Sequence, residues 1–130
     1  MNRSAVLVID DNECWRHLLT KLLDVTKYNV YSAATCAAGI SMAEVHRPDC
    51  IVVDFHLTDG NSVDVCMRVR SHSDIKNTPI VILSSDPDAE VRADSECRAD
   101  KFILKGEPLA KIRSGIEGIV AVNALRTRRV

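Results

Sequence analysis

The stretch Ile51-Val52-Val53-Asp54-Phe55-His56-Leu57 decides how the rest of the chain is organised. Three apolar β-branched residues lead directly into Asp54, and the turn formers Asp59 and Gly60 follow shortly afterwards. A short apolar run bounded by turn residues predicts a strand buried on both faces of a parallel sheet. Ligands bind at the carboxyl ends of the strands in open α/β sheets, so Asp54 is a candidate for chemistry. The alternative is that Asp54 only caps the turn or helix that follows.

Two other apolar runs and one further short predicted strand also end in side chains that can bind or react. Residues 5–9 lead into Asp10 and Asp11, residues 80–83 lead into Ser84, and residues 101–104 lead into Lys105. A weaker strand is predicted at residues 30–33, and helical patterns separate all the strands. This alternation predicts an α/β fold with a parallel sheet, helices on both faces and right-handed crossovers.

Apolar spacing and capping residues predict five helices. The first has apolar residues at spacings of three and four from Trp15 onward, and we expect it to end near Thr26. Thr35 is the expected cap of a helix over residues 37–46, and Ser62 is the expected cap of the third helix. The last two helices are predicted to begin at Pro87-Asp88 and Pro108 and to end near Arg98 and Arg126.

Composition narrows the class of protein. The chain has 130 residues, of which 46% are hydrophobic and 27% charged, which is ordinary for one globular domain. A net charge of -1 gives no overall attraction to nucleic acid or to an anionic membrane. Five widely spaced cysteines predict packed thiols in a reducing cytoplasm, and no apolar run approaches the roughly 18 residues of a membrane span. We expect no signal peptide, because only five apolar residues separate Ser4 from Asp10.

The polar strand ends define a predicted site, because they meet at one edge of a doubly wound sheet. Carboxylates at this density repel one another unless a cation joins them, and hard oxygen ligands suit Mg²⁺. An ammonium and a hydroxyl can hold phosphoryl oxygens, and an aspartate beside Mg²⁺ can attack phosphorus to form an acyl phosphate. The contributing residues are Asp10, Asp11, Asp54, Ser84 and Lys105.

At these residues the chain resembles the receiver domain of two-component response regulators over essentially its whole length. The resemblance implies a flavodoxin-like fold, a five-stranded parallel sheet in the order 2-1-3-4-5 with five helices. It is carried by four segments taken together in order. They are Val8-Ile9-Asp10-Asp11, Pro48 to Asp54 with Leu57 and Asp59-Gly60 after it, Pro79 to Ser84, and Phe102-Ile103-Leu104-Lys105.

The resemblance also implies a role for each site residue. Asp54 would accept the phosphoryl group and Lys105 would hold it. Mg²⁺, or Mn²⁺ in its place, would be bound directly by Asp11, Asp54 and the backbone carbonyl of His56, with Asp10 reaching it through water. Ser84 occupies the position of the switch hydroxyl, and Phe102 that of the switch aromatic residue, which turns inward when the hydroxyl moves toward the phosphoryl group.

The sequence departs from the family pattern at three positions. Gly106 follows Lys105 where proline is usual, Ser85 stands in place of a small apolar residue, and Thr58 stands where proline is common. The usual cis peptide after the lysine is therefore doubtful, because cis bonds are essentially restricted to proline. A separate hypothesis concerns His56 and Asp86, which would tune hydrolysis of the acyl phosphate by admitting or excluding water.

The expected partners are a sensor histidine kinase or phosphotransfer protein on one side, and a downstream protein or fused output domain on the other. Residues 1–126 would form the receiver domain, and residues 127–130 a basic tail or the start of a linker. We expect neither direct nucleic acid binding nor membrane contact, and only weak self-phosphorylation and self-dephosphorylation rather than true enzyme activity.

Two other functions remain open. An aspartyl phosphatase requires a second carboxylate two residues after its nucleophile as a general acid, and this chain has His56 at that position. A protein-binding module that keeps the fold but is no longer controlled by phosphate is supported only by Gly106 and Ser85.

Overall fold

The fold is built on one five-stranded parallel sheet. The computed structural model describes residues 3–23 and 26–128. The strands of the sheet are β1 Ser4–Ile9, β2 Tyr28–Ala33, β3 Cys50–Val53, β4 Ile80–Ser84 and β5 Lys101–Leu104. They lie in the order β2-β1-β3-β4-β5, all parallel, so the predicted order 2-1-3-4-5 is confirmed.

Within the described residues, five helices cover the two faces of the sheet. They are α1 Glu13–Leu22, α2 Cys36–His46, α3 Ser62–Ser71, α4 Ala89–Ser95 and α5 Leu109–Arg128. Successive strand side chains point to opposite faces, which divides the core into two clusters. Leu7, Ile51 and Ile82 pack with residues of α2, α3 and α4. Val8 and Val81 pack with residues of α1 and α5.

Asparagines rather than serine begin two of the helices. Thr35 caps α2 as predicted, since its side chain accepts a hydrogen bond from the backbone N–H of Ala38. The predicted cap Ser62 is wrong, because Ser62 is already helical and fully buried. Asn61 caps α3 in a capping box with Asp64, and Asn12 caps α1.

Several predicted boundaries are also wrong. Helix α1 ends at Leu22 rather than near Thr26, because Leu23 turns to an extended conformation and buries its side chain completely. Helix α4 ends at Ser95, since Arg98 adopts a left-handed conformation with φ 48°. Helix α5 continues to Arg128, beyond the predicted end at Arg126. The predicted tail at 127–130 lies partly outside the described residues.

A short hairpin after β3 was not predicted. His56–Leu57 pairs antiparallel with Gly60–Asn61 and forms a separate two-stranded sheet just beyond Asp54. All five cysteines are free thiols, and four are buried as predicted, but Cys14 is exposed on α1. No helix within the described part of the chain has both the length and the apolar character needed to cross a membrane.

Candidate functional site at the carboxyl edge of the sheet

Backbone pairing brings the polar strand ends together. Ile9 lies opposite Val53 in the register of β1 and β3, so the next residues, Asp10 and Asp54, emerge side by side. The backbone N–H of Asp54 donates to Ile9 O at 2.9 Å. On the other side, the backbone N–H of Lys105 donates to Ser84 O at 2.9 Å and aligns the ends of β4 and β5.

Three carboxylates form a cluster at this edge. Asp10, Asp11 and Asp54 each offer an oxygen, and these oxygens all lie within 4.8 Å of one another. Asp10 is buried, Asp54 is half-buried and Asp11 is exposed. The cluster therefore opens from a buried side to solvent, and its donor set of oxygens fits a hard divalent cation such as Mg²⁺.

Lys105 neutralises the buried side of this cluster. Its Nζ lies 2.8 Å from Asp10 Oδ2 and 3.3 Å from Asp54 Oδ2, and the lysine side chain is only 9% exposed. Asp10 uses its other oxygen, Oδ1, to accept a hydrogen bond from the backbone N–H of Asn12 at 2.9 Å. A buried carboxylate requires such partners, because desolvation otherwise disfavours its charge.

Burial and the Lys105 cation shift the pKa of Asp54 in opposite directions. Burial raises the pKa of the Asp54 carboxyl above its usual value, and the neighbouring charge of Asp10 raises it further. The Lys105 ammonium lowers the pKa of the same group but does not outweigh these effects. A second cation placed among the carboxylates would favour the ionised, nucleophilic form of Asp54.

Ser84 lies at the same edge and Phe102 does not. Ser84 is buried, and its Oγ accepts a hydrogen bond from the backbone N–H of Asp86 at 3.1 Å. Phe102 lies opposite Ile82, two positions before the strand ends, and packs half-buried against the cluster that includes α4.

His56 and Asp86 meet at the exposed mouth of the site. His56 Nε2 lies 3.1 Å from Asp86 Oδ2. Hydrogen bonds from His56 and from the backbone N–H of Asp88 lower the pKa of Asp86. Asp86 is therefore ionised at neutral pH, and Nε2 of His56 is the donor.

Three supporting residues were not predicted. The indole of Trp15, which the sequence pattern suggests as a core residue, lies over Lys105, with 4.8 Å from Nζ to the ring centroid. Asn12 caps α1 and contacts Asp10, and an asparagine just before a helical pattern is the signal that identifies such a cap.

The third of these residues is Asp59, whose carboxylate joins the hairpin to α2. It accepts hydrogen bonds from the backbone N–H groups of Cys36 at 2.8 Å and Ala37 at 3.2 Å. These bonds lower the pKa of Asp59. The turn signal Asp59-Gly60 predicted a loop but not its partner helix. After Lys105, the peptide to Gly106 is not cis, since no cis peptide occurs among the described residues.

Comparison with known proteins identifies the family. The model of the response regulator receiver domain matches residues 6–117. The chain belongs to the response regulator receiver family. It is therefore a receiver domain of the kind found in two-component signalling, as the sequence motifs predicted.

Relatives and solved structures agree with this assignment. The chain is 32% identical over 119 residues to the probable transcriptional regulator ycf27 of Porphyridium aerugineum, covering 88% of this chain and 48% of that protein. It is 27% identical over 124 residues to the KDP operon transcriptional regulatory protein KdpE of Escherichia coli, covering 92% of this chain and 54% of that protein. The chain thus spans about half the length of these relatives.

The receiver fold itself matches a solved structure closely. The chemotaxis response regulator CheY4 of Vibrio cholerae superposes with a TM-score of 0.82 at 22% identity, covering 91% of this chain and 99% of that one. At this identity the comparison supports the fold alone.

Proposed function

We propose that this receiver domain accepts a phosphoryl group on a carboxylate oxygen of Asp54. The observation that carries the proposal is the position of that carboxylate. It is half-buried at the carboxyl edge of the sheet, 3.3 Å from the Lys105 ammonium and beside two further carboxylates. A group that only capped a turn would need neither the buried cation nor the acidic neighbours.

Asp11, Asp54 and the backbone carbonyl of His56 would hold Mg²⁺ or Mn²⁺ directly, and Asp10 would contact it through water. The clustering of the three carboxylates supports this assignment, because hard cations prefer such oxygen ligands. When bound, the metal supplies positive charge for the transferring phosphoryl group. Asp10 is already held by Lys105 and by the backbone of Asn12, which suits a ligand that acts through water.

Asp54 and Lys105 carry out the transfer. Oδ of Asp54 attacks the phosphorus of a phosphohistidine on the partner, the phosphorus–nitrogen bond breaks and an acyl phosphate forms. The imidazole leaves with the electron pair of that bond. Lys105 stabilises negative charge on the phosphoryl oxygens from a position next to the nucleophile. Water later attacks the phosphorus, which releases phosphate and restores the Asp54 carboxylate.

The switch would run from Ser84 to Phe102. In the unphosphorylated protein the Ser84 hydroxyl accepts from the backbone N–H of Asp86, and on phosphorylation it would donate its proton to a phosphoryl oxygen. Movement of Ser84 would open space for Phe102, which lies on the paired strand, two positions before Leu104, the partner of Ser84 in the register. The face formed by α4, β5 and α5 would then change its shape for a downstream protein or an output domain.

His56 and Asp86 would control access of water to the acyl phosphate. Their side chains contact each other two residues after Asp54 and two residues after Ser84, between the loops that follow β3 and β4. The proposed compartment is the cytoplasm, because five free thiols fit a reducing environment. There a histidine kinase or phosphotransfer protein would donate the phosphoryl group. Any catalysis by the chain is confined to its own phosphorylation and dephosphorylation.

The test is to incubate the chain with acetyl phosphate and Mg²⁺ and to measure its intact mass. One added phosphoryl group is expected, and it should be lost with EDTA and in Asp54→Asn. The matched control is Asp94→Asn, which removes an exposed aspartate of α4 and should be phosphorylated normally. If the wild-type chain gains no phosphoryl group, the alternative is favoured, in which the chain is a protein-binding module that phosphorylation does not control.

A further inference from the structure

The ammonium of Lys105 has a third neighbour besides its two carboxylates. Nζ lies over the indole ring of Trp15, 4.8 Å from the ring centroid. A cation over the face of tryptophan is attracted by the ring's quadrupole, and more strongly where water is excluded. The Lys105 side chain is only 9% exposed, so this contact is largely shielded from solvent.

The position of Trp15 is tied to the site through Asn12. The backbone N–H of Asn12 donates to Asp10 Oδ1 at 2.9 Å, and the Asn12 side chain accepts from the backbone N–H of Trp15 at 3.0 Å. Asn12 therefore fixes both the buried carboxylate of Asp10 and the start of α1, the helix that carries Trp15. Packing alone explains part of this placement, since Trp15 also contacts the apolar cluster beneath α1.

Among the residues that the structure describes, the contacts found for the Lys105 ammonium are those with Asp10, Asp54 and the indole of Trp15. Its bonds to Asp10 and Asp54 use the same carboxylates that the proposed metal and phosphoryl group require. A Cβ placed on Gly106 would meet no described atom within 4 Å apart from its chain neighbours, so packing around Gly106 does not fix the lysine. The indole is uncharged and binds no metal, and its contact can persist while the carboxylates change partners.

We propose that Trp15 is a positioning residue, which holds the Lys105 ammonium at the site through the face of its indole ring. For its effect on phosphorylation this inference rests on the function proposed above. The contact itself can be tested without any phosphorylation.

The direct test is NMR of the lysine ε-methylene groups, with the Lys105 signal assigned by its loss in Lys105→Met. Protons over an aromatic face are shielded, so this signal should lie upfield of those from the other five of the six lysines. The shift should vanish in Trp15→Leu and persist in Leu22→Ala. Leu22 is a matched control, because it packs from α1 against the same apolar cluster. An unshifted Lys105 signal in the metal-free protein would overturn the inference.

The contact should survive ligand binding. Adding Mg²⁺ and beryllofluoride, a phosphoryl mimic, should leave the upfield shift in place while the backbone amide signals of Asp11 and Asp54 move. Loss of the shift under these conditions would show that the indole releases the lysine, and the positioning role would be rejected.

A double-mutant cycle then separates positioning from packing. Trp15→Leu should slow phosphorylation by acetyl phosphate about 2- to 10-fold, and Trp15→Phe should slow it less. In a Lys105→Met background, Trp15→Leu should have no further effect. Equal slowing in both backgrounds would contradict the inference. If no version of the protein forms an adduct, the proposed function fails, whereas the contact is still decided by the shift in the metal-free protein.

Discussion

His56 Nε2 lies 3.1 Å from Asp86 Oδ2 across the mouth of the phosphorylation site proposed for Asp54. The two residues follow different strands, β3 and β4, so their contact bridges the two loops that border Asp54. Asp86 also accepts from the backbone N–H of Asp88 at 2.9 Å, and its own backbone N–H donates to Ser84 Oγ. The pair is thereby connected to the proposed switch hydroxyl and to the start of α4.

Breaking this pair should shorten the lifetime of the acyl phosphate. His56→Ala and Asp86→Ala each open the same side of the site to water, and we expect decay to quicken about two- to fivefold in either variant. The measurement is the decay of the phosphoryl adduct by intact mass after removal of the donor. The double variant should decay no faster than either single one, because both remove one contact. Unchanged decay in both single variants would reject the idea.

The parallel α/β class and the polar strand ends were predictable from local patterns in the sequence, whereas the strand order 2-1-3-4-5 was implied by the resemblance to receiver domains. Apolar runs that end in Asp10, Asp54, Ser84 and Lys105 indicate strands and also mark the edge where their ends meet. Asparagine caps have an equally local signal, and the choice of Ser62 over Asn61 was an error of one position within a run of polar residues.

Contacts between segments far apart in sequence could not be predicted in the same way. Trp15 and Lys105 are 90 positions apart, and the spacing of Trp15 on α1 is that of any core residue. Asp59 and Cys36 are 23 positions apart, and their bond depends on how the hairpin folds back on α2. Such pairings follow from the tertiary arrangement, which local propensity does not encode.

Replacing the proposed phosphoacceptor should stabilise the fold. A carboxyl with a raised pKa in the folded state, as in Asp54, costs stability once it is ionised. Asp54→Asn should therefore increase the free energy of unfolding at pH 7 by on the order of 1 kcal/mol, measured by urea denaturation. The destabilisation by ionised Asp54 is complete above its folded-state pKa and disappears as the pH falls below the unfolded-state pKa of about 3.9. The gain in stability from Asp54→Asn should therefore disappear at such a low pH too. Asp94→Asn is the control, and a gain of the same size in that variant would contradict this explanation.

Removing the Asp59 carboxylate should destabilise the protein at neutral pH. It accepts from two backbone N–H groups at the start of α2, and its pKa is lowered by them. Because the pKa of Asp59 is lowered in the folded state, its stabilising effect is complete above the unfolded-state pKa of about 3.9. The effect is lost as the pH falls through the folded-state pKa. Asp59→Ala should lower the urea midpoint at pH 7 and have little effect in strong acid. Asp88→Ala, at the start of α4, is a matched control because Asp88 makes no side-chain cap bond. Equal losses in the two variants would rule out this role for Asp59.

A side chain at Gly60 should be poorly tolerated. Gly60 has φ 154°, a conformation that L-residues rarely adopt, and a Cβ there would collide with the Asp64 carboxylate. That carboxylate completes the capping box of α3 by accepting from the backbone N–H of Asn61 at 3.0 Å. Gly60→Ala should therefore lower the free energy of unfolding by about 1–3 kcal/mol in urea denaturation. Gly118→Ala in α5 is the control, because its added methyl group would meet no described atom within 4 Å apart from its chain neighbours and its own helix backbone. That variant should gain about 0.5–1 kcal/mol, and a loss at Gly118 as large as at Gly60 would contradict the strain argument.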